Sequence, residues 1–555
     1  MGRSRSRTYE RIRASLPEPM RDASSVDEVL SAAAGTWPDR PYLTYAPTGE
    51  TYSFAELDAW ADEVAGALAA VGVEPGDRVG LYLRNSPIYV ASIFACAKLG
   101  AVQTPMNWQY REREERHAVD TAGLSAAVVE PDDGFLSNLA AVVPDFEGFT
   151  DVVLAGEGDP GPLADADVGT HHLADLRTEA ASPPDVDVAE EDPFAIMYTS
   201  GTTGLPKPAL LPHRSYLLAG TSFLGAPFPE DDVNYNAFPL FHGNNQFYSM
   251  MKPVLAGTEW VLSGSFSASA FLEQAREFGV TSFNILGGTA KVLSAAYDEA
   301  EAKEHDLELA VGPIGTETWR SFEERFGVNV IQIYSQTESP TLLMNHPDSE
   351  RVRVGAIGKP MFPDLGHEAR VVDRDGNEVA VGEEDELLRT DPGAMLGYYG
   401  MPERTEETLR DGVIYSGDVV RRDEDGYLYY VDRLKFMIRR SGENIAPREL
   451  EDVVDELPGV EESAVIPVPH DVRGEEVKAM VKRIPGDGGG VTERDVVGRV
   501  KGTLAGYKVP RYVEFVDSFP KTPSERIQRA ELADREEVRE DHGWDREREY
   551  PDWTG

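Results

Sequence analysis

Between residues 55 and 130 the apolar positions switch period repeatedly. AELDAWADEVAGALAAVG (55–72) spaces its apolar residues as a helix does, and RVGLYLR (78–84) is an apolar run of strand length. PIYVASIFACAKLG (87–100) returns to helix and LSAAVVE (124–130) to strand. Such alternation predicts an α/β layer. From about 155 to 192 the chain turns polar and rich in Gly, Pro, Asp and Ala, which predicts a surface excursion. Helix and strand then alternate again over 193–335, with FLEQAREFG before VTSFNILG and SFEERFG before VNVIQIY. That pattern predicts a second α/β unit.

Punctuated strands follow over 354–433 (EARVVDRDGNEV, EDELLRT, YLYYVDR), the pattern of a small β-rich subdomain. Beyond Arg433 the order becomes helix (PRELEDVVDELPG), strand (ESAVIPVP), strand (VKAMVKRI), helix (TERDVVGRVKGTL) and a last strand (RYVEFVD). The predicted fold class is therefore α/β: a large N-terminal domain, 1–433, of two α/β subdomains plus the β-rich one, and a small α+β C-terminal domain, 434–530. The charged tail, 531–555, reads as a solvated helix.

Charge narrows the partners. Fifty-three Lys and Arg against 98 Asp and Glu leave −45, and a surface that acidic repels nucleic acid and anionic lipid. Arginine outnumbers lysine 41 to 12, and a Lys-poor acidic protein suits a salt-filled cytosol, so a halophilic origin is expected. No apolar run follows the basic start MGRSRSRTYERIR, and nowhere do roughly 18 apolar residues run together. The single cysteine, Cys96, lies in an apolar stretch and reads as a core residue. These features fit a reducing, cytoplasmic setting without membrane insertion.

Two glycine-rich stretches could hold phosphate. Gly156, Gly158 and Gly161 match GxGxxG, but PLADADVG follows where a helix is needed, so this match is a loop. Tyr198-Thr199-Ser200-Gly201-Thr202-Thr203-Gly204-Leu205-Pro206-Lys207 follows a strand-like run, and its hydroxyls, backbone amides and lysine can wrap phosphate oxygens. It lacks the Walker A order. With Tyr334-Ser335-Gln336-Thr337-Glu338, Tyr415-Ser416-Gly417-Asp418, Asp432-Arg433-Leu434-Lys435, Ser441-Gly442-Glu443-Asn444 and Pro520-Lys521-Thr522-Pro523-Ser524 in that order, the chain resembles the acyl-adenylate-forming superfamily from about 25 to 530.

This resemblance implies ATP, Mg²⁺ and CoA as cofactors and a small-molecule carboxylic acid as substrate. It makes Glu338 the metal ligand, with Thr199 beside it, and Thr337 a donor to the α-phosphate. Tyr334 would stack on adenine, while Asp418 and Arg433 would hold the ribose. His242, in PLFHGNNQFYSM, would gate the acyl pocket, which Ile285–Thr289 would line; a lone histidine there is more often a structural residue. Lys435 would be the hinge about which a mobile C-terminal domain turns between half-reactions, bringing Gly442 and Arg439 to CoA. The PLFHGNNQFYSM and FSASAFLEQARE segments look like the crotonobetaine/carnitine-CoA ligase branch, which would place the protein near fatty acid metabolism.

Two motifs depart from the family, mildly at Ser335, which stands for its usual glycine and would narrow the adenine edge, and more sharply in the last motif. Where a Gly-Lys pair is usual, the chain reads Glu525-Arg526, and a guanidinium fork is a longer, less compact cation than an ammonium. Arg526 replaces the lysine, or Lys521 reaches in, or adenylation is slow; the first is preferred because the surrounding motif keeps its cation. The expected function is an AMP-forming carboxylate-CoA ligase. Its alternatives are an enzyme loading acyl groups onto a carrier protein and a homologue that binds nucleotide without catalysis. The sequence leaves the acid and the oligomeric state open, a homodimer included.

Overall fold

The structure, a computed structural model, describes residues 8–549 apart from 111, 180–182, 200–204, 347–351, 441–442, 471–472, 485–489, 505, 522–526 and 535–542. The chain forms two compact units, one of residues 1–369 and 388–415, the other of 370–387 and 416–555.

The first unit carries two mostly parallel sheets. In one, the strand order is Gly397–Tyr398, Lys207–Pro212, Pro193–Thr199, Val102–Pro105, Arg78–Tyr82, Ala126–Val129, Asp151–Leu154, Gly169–His172. All neighbours are parallel except the three strands at the Gly397 edge, which run antiparallel in succession. The other sheet runs Asn329–Ile331, Leu309–Val311, Ser282–Asn284, Val233–Asn236, Glu259–Leu262, Pro41–Tyr45, Glu50–Ser53, with only the last pair antiparallel. Strands such as Ala126–Val129 are apolar throughout because helices cover both faces of a parallel sheet.

Local signals set the helices. Ser53 and Glu56 form a reciprocal capping box at the start of Phe54–Ala70, and Pro87 occupies the first turn of Pro87–Lys98. Cys96 is fully buried in that helix, in the main core.

One expectation gains detail and another needs correction. The excursion at 155–192 contains strand Gly169–His172, which extends the sheet edge beside Asp151–Leu154, and helix Leu173–Glu179. An edge strand reading GTHH has no apolar run to announce it. The rejected GxGxxG is followed by a five-residue 3₁₀ turn, Gly161–Asp165. In the second unit the sheet order is Glu443–Ile445, Ile438–Arg440, Gly474–Arg483, Tyr512–Val516, Trp544–Asp545, and Val460–His470 also pairs Gly474–Arg483. The tail is thus not a solvated helix alone: Trp544 pairs antiparallel with Val513, and Asp545 and Arg546 are buried. Arg511 holds Asp545 at 3.3 Å and Glu547 at 3.5 Å, an ion-pair attachment that hydropathy cannot reveal.

Candidate active site

In the first unit, the TSGTTG segment joins two antiparallel strands whose ladder ends on Thr199 opposite Lys207. Pairing at that rung brings the two ends of the loop together. Helix Glu112–Ala122 holds Tyr198: its Ala118 carbonyl accepts from the Tyr198 hydroxyl at 2.7 Å, and Thr121 Oγ1 lies 2.8 Å from that hydroxyl. His117 Nε2 reaches the Pro206 carbonyl at 2.8 Å, anchoring the far side of the loop. Burial pushes the Tyr198 phenol well above its ordinary pKa, so it stays a neutral donor. Thr199 Oγ1 is buried and makes no hydrogen bond among the described residues, a polar atom left for something the loop would hold. Ser200, Gly201, Thr202, Thr203 and Gly204 lie outside the described residues.

Tyr334-Ser335-Gln336-Thr337-Glu338 forms one arm and the tip of a hairpin. Strands Ile333–Gln336 and Ser339–Met344 pair with Gln336 opposite Ser339, so Thr337 and Glu338 are the two turn residues, both half-buried. A two-residue turn projects its side chains off the sheet end. Glu338 Oε1 accepts from the Tyr398 hydroxyl at 2.6 Å, and that hydroxyl accepts from Lys207 Nζ at 2.7 Å. A chain of hydrogen bonds thus links the lysine of the first motif to the glutamate of the second.

Tyr334 is 9% exposed, with the Arg389 guanidinium 5.5 Å from its ring centroid. Arg389, fully buried, donates to the carbonyls of Ser339 and Thr341, and Asp391 accepts from Ser339 Oγ at 2.7 Å and Thr341 N at 3.1 Å. Burial drives the neighbouring His367 imidazole down to about 3, so it meets Arg389 as a neutral ring. Ser335 packs its hydroxyl 2.7 Å from Tyr248 Oη.

His242 is half-buried beside the Phe241 ring and precedes a π-helical segment, Asn244–Met250. Helix Gly287–Ala296 begins within the Ile285–Thr289 stretch, and a side chain at Gly288 would meet nothing within 4 Å.

The second unit brings Asp418 and Arg433 together. They face each other across strands Val413–Arg422 and Leu428–Arg433, with Arg433 Nε 2.7 Å from Asp418 Oδ1. Gly417 has a φ of +65°, a left-handed turn at which glycine is favoured and which re-aims the chain before the aspartate. Lys435 falls in a one-turn 3₁₀ helix, Leu434–Phe436, and Arg439 in strand Ile438–Arg440. Gly442 and Arg526 lie outside the described residues. Flanking Arg526, Lys521 Nζ is 2.9 Å from Glu462, and Arg529 forms a two-point pair with buried Glu451.

Sequence reasoning missed Tyr398, Arg389, Tyr248 and the Glu451–Arg529 pair. Only Tyr398 had a local signal, an aromatic pair between two glycines in Gly397-Tyr398-Tyr399-Gly400.

No cluster of three or more His, Cys, Asp or Glu side chains able to hold a metal exists among the described residues. The Glu338 carboxylate, one oxygen of which accepts from Tyr398, and the buried Thr199 hydroxyl are the kind of sparse oxygen donors that would suit a Mg²⁺ ion taking its remaining ligands from phosphate and water. No described helix is long and apolar enough to cross a membrane.

Residues 30–399 match the AMP-binding enzyme family, and 449–526 match the AMP-binding enzyme C-terminal domain. A feruloyl-CoA synthase of Amycolatopsis is 33% identical over 90% of this chain and 98% of its own length. A long-chain-fatty-acid–CoA ligase of Escherichia coli is 30% identical, covering 93% and 95%. An anthranilate CoA ligase in complex with anthranoyl-AMP superposes with a TM-score of 0.82 at 25% identity, over 94% of this chain and 98% of that one. An o-succinylbenzoate CoA synthetase of Bacillus subtilis, bound to ATP and magnesium ion, gives 0.77 at 25%, over 91% and 99%. With the first match spanning two thirds of the chain and relatives above 30% identity covering nine tenths of it, the chain belongs to the AMP-binding enzyme family.

Proposed function

We propose that the protein is an AMP-forming carboxylate-CoA ligase. The carboxylate attacks the α-phosphorus of ATP, expelling pyrophosphate and leaving an acyl-AMP; the CoA thiol then attacks the acyl carbonyl and expels AMP. The observation that carries this reading is the hydrogen-bonded link from Lys207 through Tyr398 to Glu338, which brings a cation and a carboxylate together, as a site for metal-bound phosphates would require.

In that reading Lys207 and the 199–204 hydroxyls and amides take the phosphates, and Thr337 donates to the α-phosphate in the transition state. Bound beside Glu338 and Thr199, Mg²⁺ would screen the triphosphate charge. Tyr334 stacks on adenine, held against Arg389. Asp418 and Arg433 take the ribose, while Lys435, Arg439 and Gly442 serve the turn toward CoA. Arg526 supplies the cation usually given by lysine. His242 borders the acyl group.

Substrate class and setting complete the proposal. Relatives named for ferulate, sulfoacetate and long-chain fatty acids define the acids to test, together with trimethylammonium acids of the carnitine type. The −45 charge supports a cytoplasm rich in KCl. The test is a panel of these acids, assayed for CoA-dependent AMP formation in molar KCl. A relative named a fatty acid–acyl-carrier-protein ligase, 31% identical, favours carrier loading as the second reading. AMP release that requires CoA selects the ligase; acyl-AMP formation without CoA turnover selects the carrier enzyme.

A further inference from the structure

Tyr398 has no part in the motifs above, yet its hydroxyl stands between the two groups placed at the phosphates. It donates to Glu338 Oε1 at 2.6 Å and accepts from Lys207 Nζ at 2.7 Å, and that ammonium lies 4.1 Å from the Tyr398 ring centroid. A phenol can give one proton and accept another, so it satisfies a carboxylate on one side and an ammonium on the other.

The backbone keeps the ring in that place. Leu396 N and Tyr399 N donate to the Leu210 and Pro208 carbonyls at 2.8 Å each, which ties the segment to the strand starting at Lys207. Met395 N donates to the Glu338 carbonyl at 3.0 Å, which ties it to the Thr337-Glu338 turn. Tyr398 N donates to Thr405 Oγ1 at 2.9 Å. Gly397, with φ of +142°, lets the segment close on Thr405, since a Cβ there would stand 2.8 Å from Thr405 Cγ2. Tyr398 itself is only 4% exposed.

Without the phenol, a carboxylate and an ammonium this close would pair directly, each neutralising the charge the other should offer to a ligand. With it, Glu338 Oε1 is occupied and Oε2 is the oxygen presented. We propose that Tyr398 is a positioning residue for adenylation: it holds Glu338 and Lys207 apart and aimed, so that the carboxylate meets a nucleotide-bound divalent cation while the ammonium meets phosphate oxygens. This rests on the ligase reading above and adds a residue that the motif assignments do not include.

Tyr398→Phe removes the hydroxyl and keeps the ring, its packing and its face toward Lys207. Binding of α,β-methylene ATP is followed by calorimetry at a series of MgCl₂ concentrations in constant KCl, with thermal unfolding of both proteins as the check on folding. Loss of such an orienting partner lowers metal affinity roughly ten- to a hundredfold. The Mg²⁺ concentration for half-maximal tight binding should rise by that factor, with a clearly smaller loss of metal-free affinity, which reads the Lys207 half of the arrangement alone. A midpoint within about twofold of the parent, or an equal loss with and without Mg²⁺, overturns the positioning role. Failure of the parent to bind the analogue with Mg²⁺ overturns the ligase reading itself, and this inference with it.

Discussion

Glu115 lies in helix Glu112–Ala122, which holds Tyr198 and the Pro206 carbonyl, and the structure gives it an acid's least favourable surroundings. It is 0% exposed, and among the described residues neither carboxyl oxygen has a hydrogen bond of good geometry, the Tyr82 hydroxyl lying near it without closing one. Burial pushes its pKa from 4.5 up to about 8, the nearby Tyr82 hydroxyl opposing the shift only in part. The folded protein therefore holds a proton on Glu115 up to about pH 8, whereas the unfolded chain releases it near pH 4.5. Between those values the folded state binds more protons, so stability declines as pH rises, by about 1.4 kcal/mol per pH unit for this one group. The stabilisation is fully present below pH 4.5 and lost on passing pH 8; over the whole interval it amounts to about 5 kcal/mol. Glu115→Gln is nearly isosteric with the protonated acid and cannot ionise. Denaturant unfolding at half-unit steps between pH 5 and 8.5, at constant KCl, should show both proteins within ~1 kcal/mol at pH 5 and the variant more stable by several kcal/mol at pH 8.5. All other groups titrate in both proteins and cancel in the difference. Parallel pH profiles would refute the reasoning, because they would mean that Glu115 is ionised in the folded state and paired.

Glu338→Ala should abolish ATP–pyrophosphate exchange while leaving thermal unfolding near the parent's, a loss of several kcal/mol of transition-state stabilisation; exchange near the parent rate would remove Glu338 from the metal site. Repulsion among the carboxylates behind the −45 charge opposes compaction, and at 1 M salt the Debye length falls to ~3 Å, so Tm should rise with KCl. An unchanged Tm between dilute buffer and molar KCl would count against the halophile reading. Arg526→Ala should cripple acyl-AMP formation and spare the reaction of supplied acyl-AMP with CoA, whereas Lys521→Ala, whose ammonium is already paired with Glu462 at 2.9 Å, should be mild in both half-reactions. The reverse ranking in pyrophosphate exchange would move the adenylation cation to Lys521.

Wherever one stretch of chain carries its own signal, the sequence alone determined the outcome. Apolar periodicity marked helix Phe54–Ala70 and strands Arg78–Tyr82 and Ala126–Val129, because a parallel sheet with covered faces requires unbroken apolar strands. Motif order likewise pointed to the family, since Thr199, Lys207, Tyr334 and Glu338 each sit in dense local patterns. What needed the tertiary structure were contacts between segments far apart in the chain. Strand Gly169–His172 exists because a parallel neighbour pairs it, and the 544–549 segment is held by Val513, Arg473 and Arg511, none visible in its own charged composition. Arg389 looks like any surface arginine until the fold buries it against Tyr334. Tyr398 is the sharpest case: 191 residues from Lys207 and 60 from Glu338, it meets both only because antiparallel pairing at the sheet edge and the hairpin turn bring three separate segments to one phenol. Hydrogen bonds act over about 3 Å of space irrespective of sequence distance, so such a link is written only in the folded chain.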